Sequence, residues 1–361
     1  MYADDPHVRT APMTLPSPDL RALGWSQFFL SQLDLQDLET LTPARVAEVQ
    51  RDRLTALSEG GPLSLTLPPE IGAGDVAVGD WVLADPATGR AARVLERRTE
   101  LSRRASGREI HAQLIAANVD TLFVVTSCND DFSVPRLERA LALAYEADIE
   151  PVIVITKADL AETAQRYAED ARKAARGVEV ILLNAKAADA ASHFEPWSGP
   201  GKTVALVGMS GTGKSTLTNA ICGTVQATGD IREDDARGRH TTTARSLHRT
   251  LAGGWLIDTP GMREMGVMDA AEGIDAVFSE ILDLAAECRF RDCAHEKEPG
   301  CAVQAAIADG SLDPDRLARW RKLKAEDRHA TETVAEGRAR QKRFHKHIRV
   351  TQAAHRRDKG G

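Results

Sequence analysis

The feature that most limits the fold of this chain is the segment at residues 208–215, which reads GMSGTGKS. It fits the pattern G-x-x-x-x-G-K-S, follows the apolar run TVALV and opens the helix-like run STLTNAICG. Glycines let backbone N–H groups curl around phosphates, and the start of a helix adds its positive end. The segment predicts a strand, a phosphate-binding loop and a helix. The phosphate-binding residues are expected to be Gly208, Met209, Ser210, Gly211, Thr212, Gly213, Lys214, Ser215 and Thr216.

Two side chains of this loop are predicted to act on the phosphates directly. Lys214 is expected to contact the β- and γ-phosphates, and the Ser215 hydroxyl is expected to ligate Mg²⁺. Taken alone, the loop indicates a nucleoside triphosphate and leaves the base open.

Apolar runs alternate with helix-like segments around this loop. The helix-like segments include VPRLERALALAYEAD and ADLAETAQRYAEDARKAAR. Strands that are buried on both faces and alternate with helices are typical of a mostly parallel α/β sheet. The apolar runs are residues 121–126, 151–156, 178–183, 203–208 and 254–259.

Two short motifs that follow strands point to guanine. Thr156-Lys157-Ala158-Asp159 fits TKxD, and the Asp159 carboxylate can accept from the N1–H and the exocyclic amine of guanine. Adenine offers no such pair of donors. The Lys157 stem can lie along the base plane. A second loop, Asn184-Ala185-Lys186, resembles the SAK loop whose backbone contacts the base oxygen, with asparagine in place of serine.

Two further motifs fit the switch regions of a GTPase. Asp258 opens the DTPG motif and is expected to hold Mg²⁺ through water, while the Gly261 N–H can meet the γ-phosphate. The segment GRHTTT at 238–243 offers Thr241 or Thr242 as the switch I ligand of Mg²⁺. The sequence does not decide between the two threonines, and Thr242 is taken as the metal ligand.

The group that places the attacking water is also left open. Met262 follows Gly261, where Ras-type enzymes keep a glutamine that orients water. A methionine cannot do this, and His240 is the nearest candidate in sequence, either as the water-positioning group or as a bystander. Slow intrinsic hydrolysis, raised by a partner that orders the switches, is expected.

A cysteine and histidine cluster predicts a metal site. Cys288, Cys293, His295 and Cys301 supply three thiolates and an imidazole, which is a complete tetrahedral set for a structural Zn²⁺. Three of the five cysteines fall within fourteen residues. The alternative is free cysteines beside a surface histidine.

Local basic segments offer two candidate RNA contacts. The chain ends in a tail from Arg338 with nine Lys or Arg against Asp358 alone, although the net charge is −7. Either a solvated helix face or a contact with an RNA backbone explains such a tail. A second group of arginines is either a solvated strand edge or an RNA-facing strip. It consists of Arg93, Arg97, Arg98, Arg103 and Arg104.

Length and composition set the outer limits. A chain of 361 residues is long enough for two or three domains, and 42% hydrophobic with 27% charged residues is ordinary for a globular protein. We find neither an apolar run of bilayer length nor the basic start and apolar core of a signal peptide. A cytoplasmic monomer with no membrane partner and no DNA partner is therefore expected.

The base-recognition motifs precede the phosphate loop and the switches, which reverses the order of Ras-like proteins. This order, TKAD, NAK, GMSGTGKS, GRHTTT and DTPG, followed by CRFRDCAHEKEPGC, resembles the RsgA (YjeQ) family of circularly permuted, small-subunit-dependent GTPases. The resemblance covers about Val46 to the C-terminus. It implies GTP hydrolysis stimulated by the small ribosomal subunit and coupled to release, late in the maturation of that subunit, with rRNA as the binding partner.

The expected architecture has four parts. They are an N-terminal extension (1–43), an OB-type β-barrel that binds RNA (44–108), a circularly permuted α/β P-loop GTPase domain (109–270), and a mainly helical zinc-binding domain with the basic tail (271–361). Permutation makes switch II lead directly into the last of these, which offers a route for transmitting the nucleotide state.

Two other classes of function remain alternatives. A nucleotide-gated RNA-binding scaffold, with incidental hydrolysis, is compatible with Met262. A P-loop ATPase or small-molecule kinase leaves TKAD unexplained, and it predicts that ATP displaces bound GTP.

Overall fold

The structure, a computed structural model, describes residues 18–51, 53–69, 71–104, 112–224, 245–258 and 270–331. By its contacts the chain divides into two compact units. The first unit comprises residues 1–101, 114–132 and 149–263, and the second comprises residues 102–113, 133–148 and 264–361.

The first unit contains a closed five-stranded barrel. Its strands are β1 (Thr42–Val49), β2 (Arg53–Ser58), β3 (Gly61–Thr66), β4 (Trp81–Asp85) and β5 (Arg90–Val94). They pair in the order β1-β2-β3-β5-β4 and back to β1, with β3 and β5 parallel and the other pairs antiparallel. Alternate residues such as Val46, Leu54 and Val82 fill the interior. The OB-type barrel that the sequence predicted is confirmed.

The N-terminal extension packs onto this barrel. It forms three short helices, α1 (Pro18–Ala22), α2 (Gln27–Leu30) and α3 (Leu35–Thr40). Trp25 and Phe29 join a core cluster with Trp81 of the barrel and Trp255, and the Trp25 and Trp81 rings lie 4.7 Å apart between centroids. Residues 18–40 therefore share a hydrophobic core with the rest of the first unit.

The remaining strands of the first unit form the parallel sheet. Two of the intervening strands, β6 (Glu100–Arg104) and β7 (Ala112–Ala117), form a small separate sheet, and Ala116 of β7 also forms an isolated bridge with Val78. The parallel sheet comprises β8 (Thr121–Ser127), β9 (Glu150–Thr156), β10 (Glu179–Leu182), β11 (Thr203–Val207), β12 (Ser246–Arg249) and β13 (Trp255–Asp258). The order is β10-β9-β8-β11-β13-β12, in which only β12 runs antiparallel. The mostly parallel sheet is confirmed.

One residue pair joins the parallel sheet to the barrel. Glu48 of β1 pairs with Ser246 of β12, so barrel and parallel sheet form one continuous eleven-stranded sheet. Nearby, the guanidinium of Arg45 is fully buried and donates to the carbonyl of Leu23 at 2.6 Å and to the hydroxyl of Thr203 at 2.7 Å. Burial lowers the pKa of Arg45 to about 10. This side chain connects the N-terminal extension, the barrel and the parallel sheet.

Between β8 and β9 the chain enters the second unit to form α4 (Val134–Glu146). The helices that follow in the first unit are α5 (Ala164–Ala174), α6 (Glu195–Ser198) and α7 (Lys214–Cys222). The first unit also has 3-10 turns at Ala73–Asp75, Ala158–Leu160 and Ala190–Phe194. None of the helices within the described ranges is both long and apolar enough to cross a membrane.

The second unit is mainly helical in its described residues. Besides α4 it contains α8 (Ala271–Val277), α9 (Ser279–Ala286), α10 (Ala302–Ala308) and α11 (Pro314–Thr331). α4 and α8 pack so closely at Gly273 that a Cβ there would lie 2.0 Å from the Ala142 carbonyl oxygen. The buried carboxylate of Glu138 accepts from Arg316 at 2.7 Å and from Arg319 at 2.9 Å. The mainly helical character predicted for the C-terminal part is confirmed.

Three of the barrel arginines have protein partners. Arg93 pairs with Asp37 at 2.8 Å, and Arg97 pairs with the buried Asp80 at 2.8 Å. Arg98 pairs with Asp120. These pairs favour a structural role for the three arginines over an RNA-facing strip. The side chains of Arg103 and Arg104 lie outside the described part of the chain.

Candidate functional site

The predicted nucleotide loops meet at one edge of the parallel sheet. Strands β10, β9, β8, β11 and β13 run in the same direction, so their carboxyl ends share that edge. The loop 184–186 follows β10, the TKAD loop follows β9, and the phosphate loop follows β11. Ligands of open α/β sheets bind outside the carboxyl ends of the strands.

The backbone of the phosphate loop depends on its glycines. Gly208 has φ 151°, and a Cβ there would lie 2.2 Å from the Val125 carbonyl oxygen of β8. Gly213 adopts φ 91° as the residue before α7. Lys214 folds back over the loop, and its Nζ donates to the carbonyls of Gly208, at 2.8 Å, and Met209. The Thr212 hydroxyl also donates to Met209, at 2.9 Å.

The other predicted residues of the loop differ in exposure. The side chain of Ser215, on the first turn of α7, is exposed, as are Ser210 and Gly211, whereas Thr216 is half-buried. A hydroxyl that is open to solvent at the start of α7 is accessible to a metal ion and phosphate.

A hydroxyl of the TKAD loop connects it to the phosphate loop. Thr156 is fully buried, and its Oγ1 donates to the carbonyl of Thr212 at 2.7 Å, with the Thr126 carbonyl 3.2 Å away. A Cβ on Gly213 would lie 3.2 Å from this same hydroxyl. The base-recognition loop and the phosphate loop are therefore held together directly, without a ligand.

The residues predicted to recognise guanine lie beside this connection. Lys157 adopts a left-handed backbone conformation with φ 59°, and Asp159 is exposed. Burial raises the pKa of the neighbouring Cys128 thiol, and the charge of Asp159 raises it further. The exposed Asp159 side chain has the two acceptor oxygens that the predicted contact with the N1–H and amine of guanine requires.

Asn184 holds its own loop with its side chain. Its Oδ1 accepts from the backbone N–H of Lys186 at 2.9 Å, and Ala185 between them is buried. The backbone N–H of Ala158 donates to Leu183 at 3.3 Å, which joins this loop to the TKAD loop. Asparagine thus stabilises the turn by the hydrogen bond expected of a short polar side chain at that position.

The sequence patterns did not identify the loop after β8 as part of this edge. β8 lies between β9 and β11, so residues 127–131 lie at the same edge, between the two nucleotide loops. The backbone N–H of Cys128 donates to Thr156 at 3.0 Å, and the Ser127 hydroxyl donates to Asn129 at 2.8 Å. The available signal was its position directly after the apolar run 121–126.

The switch motifs are described only in part. Asp258 is the last residue of β13 and pairs with Ser246 of β12. Burial raises the pKa of Cys222 to about 12, with the charge of Asp258 as a second cause. The other predicted switch residues, His240, Thr241, Thr242 and Gly261, lie outside the described residues, as does Met262.

A separate candidate metal centre lies in the second unit. The ligand atoms of Cys288, Cys293, His295 and Cys301 all lie within 4.8 Å of one another. Sulfur atoms of Cys288 and Cys301 are 3.9 Å apart, and each is 3.6 Å from His295 Nδ1. Tetrahedral zinc bonds imply about 3.8 Å between sulfurs and about 3.6 Å between sulfur and nitrogen. The four side chains therefore fit a zinc ion.

Neighbouring groups hold the metal-site loop in shape. The Glu298 carboxylate accepts from the backbone N–H groups of Ala294 and Glu296, at 2.9 and 2.8 Å. Its own backbone N–H and these two lower the pKa of Glu298 to about 2. Arg321 donates to the His295 carbonyl at 2.9 Å, and burial lowers the pKa of His295, which favours the neutral imidazole that metals bind.

Comparisons with known proteins agree with this geometry. A family model described as RsgA GTPase matches residues 94–268. A protein of Mesorhizobium japonicum named Small ribosomal subunit biogenesis GTPase RsgA is 55% identical over 323 residues, which is 88% of this chain and 93% of that protein. Small ribosomal subunit biogenesis GTPase RsgA 2 of Vibrio vulnificus is 46% identical over 343 residues, 94% of this chain and 97% of that protein.

Two solved structures share the fold. The crystal structure of YjeQ from Thermotoga maritima superposes with a TM-score of 0.59 at 25% identity, covering 79% of this chain and 98% of that one. The structure of YloQ, described as a circularly permuted GTPase, gives a TM-score of 0.57 at 28% identity, covering 81% and 96%.

Proposed function

Because the chain belongs to the RsgA GTPase family, we propose that it hydrolyses GTP to GDP and phosphate as a biogenesis factor of the small ribosomal subunit. The observation that carries the proposal is the hydrogen bond from Thr156 to the Thr212 carbonyl. It ties the loop that reads guanine to the loop that binds phosphates, so both ends of one nucleotide meet a single rigid edge.

Different residues bind the base and the phosphates. Asp159 accepts from the guanine edge, and the Lys157 stem covers the base. Lys214 exchanges its contacts with loop carbonyls for the β- and γ-phosphates, whose negative charge is the stronger partner. The backbone N–H groups of the phosphate loop at the start of α7 bind the same phosphates.

Mg²⁺ is the metal implied for this site, where it would neutralise charge on the transferred phosphate. Ser215 and Thr242 are the proposed ligands, with Asp258 acting through water. We assign Gly261 to the γ-phosphate and His240 to the placement of the attacking water, since Met262 cannot place it. These assignments rest on the motif order in the sequence.

The zinc centre is proposed as structural. Its four ligands come from the protein, so no coordination position is left for a substrate. Its contribution is to hold the segment 288–301 against α10 and α11.

The proposed partner is the small subunit and its rRNA, contacted by the barrel and by the basic tail from Arg338. GTP hydrolysis is stimulated by that subunit and accompanies release late in its maturation. We further propose that the protein acts in the cytoplasm as a monomer.

The test is GTP turnover by the purified protein alone, with small subunits, and with large subunits. We expect slow turnover alone and a strong rise with small subunits only. Lys214→Ala should lower the stimulated rate by at least 10²-fold, because it removes a donor to the phosphates. Lys173→Ala, a surface lysine of α5 paired with Asp170, is the control and should keep the wild-type rate.

Equal turnover with and without every ribosomal particle would overturn the proposed partner while leaving the GTPase activity. Displacement of bound GTP by equimolar ATP would overturn the guanine assignment of Asp159.

A further inference from the structure

The metal-site loop presents an aromatic ring to solvent. Phe290 is 42% exposed and lies between two ligands, Cys288 and Cys293. One other large aromatic side chain in the described residues is comparably exposed, Phe28 at 38%, and its ring packs edge-on against Phe29 at 5.2 Å. Among the described residues no other aromatic ring packs against Phe290, and its exposure leaves part of the ring open to a partner.

Two arginines are the sequence neighbours of Phe290. The guanidinium of Arg289 lies over the Phe290 ring, 5.5 Å from its centroid, and both Arg289 and Arg291 are exposed. Within the described residues neither arginine has an ion-pair partner. The nearby carboxylate of Glu298 is occupied by three backbone N–H groups of its own loop. A ring with one cation over it and a second exposed cation on the next residue along the chain suits a flat, anionic ligand.

Hydrogen bonds within the metal-site loop hold the backbone around Phe290. The Phe290 carbonyl accepts from the backbone N–H of Cys293 at 3.3 Å, and the N–H of Arg289 donates to Gly300 at 3.1 Å. On the other side of the cluster, Gln304 and Arg321 donate to the His295 carbonyl. A ring held in place costs little ordering entropy when a partner binds, which is how preorganised contacts raise affinity.

We propose that Phe290 is a stacking platform for one unpaired RNA base, with Arg289 and Arg291 on the adjacent phosphates. A base offers the flat π surface and its phosphates offer the charge, whereas an apolar protein pocket would leave two arginines beside it unpaired. This inference deepens the proposed function and rests on it, since it names single-stranded rRNA as what the zinc-binding part recognises.

The experiment uses the full-length, zinc-loaded protein and a labelled oligouridine of about eight nucleotides, with fluorescence anisotropy at low salt. Phe290→Ala and Phe290→Leu should each weaken binding about 5- to 100-fold, because both remove the aromatic face. Phe290→Trp should keep wild-type affinity. Phe28→Ala is the matched control, an exposed aromatic residue of the first unit, and should also bind as wild type. Zinc content and the unfolding midpoint are measured for each variant.

The variants separate a base from a protein partner. If Phe290→Leu binds as wild type while Phe290→Ala is weakened, the contact is a simple apolar one and the proposal is overturned. Equal affinity of Phe290→Ala and wild type, with zinc retained in both, also overturns it.

A second arm uses small subunits and GTP turnover. Phe290→Ala should raise the subunit concentration needed for half-maximal stimulation by a similar factor and reach the wild-type rate at saturation. An unchanged half-maximal concentration would contradict the proposal. Absence of stimulation in the wild type would instead count against the proposed function. The oligouridine binding experiment would still test whether a base stacks on Phe290.

Discussion

The phosphate loop and the metal-site loop reach their shapes in different ways. In the phosphate loop, groups of the protein itself supply the hydrogen bonds. Lys214 and Thr212 donate to carbonyls of the same loop, and the Thr156 hydroxyl of β9, two strands from β11, donates to the Thr212 carbonyl. In the metal-site loop three thiols and an imidazole converge within 4.8 Å of one another. Deprotonated thiolates at that spacing repel one another unless a cation lies between them.

The two loops therefore differ in what the binding energy of their ligands contributes. A nucleotide binds to a loop that is already folded, so its binding energy remains available for selectivity and for ordering the switches. A zinc ion binds to groups that are brought together by folding, so its binding energy is folding energy. Loss of the nucleotide should leave the structure intact, and loss of zinc should not.

Removal of one zinc ligand should give the largest effect on structure. Cys293→Ser is expected to bind no zinc and to lose amide protection in residues 288–308, because structural zinc contributes roughly 10 kcal/mol or more to small metal domains. Hydrogen exchange and metal analysis measure this. Cys222→Ala, a buried cysteine of the first unit, should keep full zinc. A Cys293→Ser protein with wild-type protection would show that the second unit folds without metal.

Replacement of Asp159, the carboxylate proposed to bind guanine, should change nucleotide selectivity and leave the structure unchanged. Asp159→Asn is expected to lower GTP affinity about 10²-fold or more, since the acceptor loses its charge and one of its two oxygens becomes an amide N–H₂ that faces a guanine donor. Affinity for xanthosine triphosphate should rise, because its C2 oxygen accepts from the new amide. Competition against a fluorescent guanine nucleotide measures both. Asp170→Asn, on the surface of α5, is the control, and equal GTP affinity in the two variants would remove Asp159 from the site.

Removal of the Thr156 hydroxyl should give the smallest effect and test whether the phosphate loop is held by the polypeptide. Thr156→Val keeps the volume but leaves the Thr212 carbonyl without its donor, at a cost of about 1–3 kcal/mol in the free energy of unfolding. Urea unfolding without nucleotide measures the loss, and Thr156→Ser should restore it. A Thr156→Val protein as stable as wild type would mean that the contact adds nothing to the fold.

Much of the site was predictable because its chemistry lies in contiguous motifs. The apolar runs 121–126 and 151–156 correspond to β8 and β9, and the segment 208–215 runs from the end of β11 into the first turn of α7 as its pattern requires. Motifs of this kind are local: glycine spacing, a strand before and a helix after determine them together.

What the sequence did not predict depends on contacts between distant residues. The hydrogen bond between Thr156 and Thr212 joins residues 56 apart, and Arg45 reaches Thr203, 158 residues away. Ion pairs of Arg93 and Arg97 with Asp37 and Asp80 likewise cannot be distinguished from free surface arginines by composition. Helix α4 falls within the range 109–270 predicted for the GTPase domain, but its contacts group it with the second unit, where Glu138 meets Arg316 and Arg319.

Hydrolysis that accompanies release, as proposed above, requires that the nucleotide bound at the permuted motifs control association with the small ribosomal subunit. Sedimentation of the protein with purified small subunits, in a non-hydrolysable GTP analogue and in GDP, measures this association. The protein should pellet with subunits in the analogue and stay in the supernatant in GDP. Equal pelleting in both nucleotides would contradict it and would leave an RNA-binding scaffold whose hydrolysis is incidental.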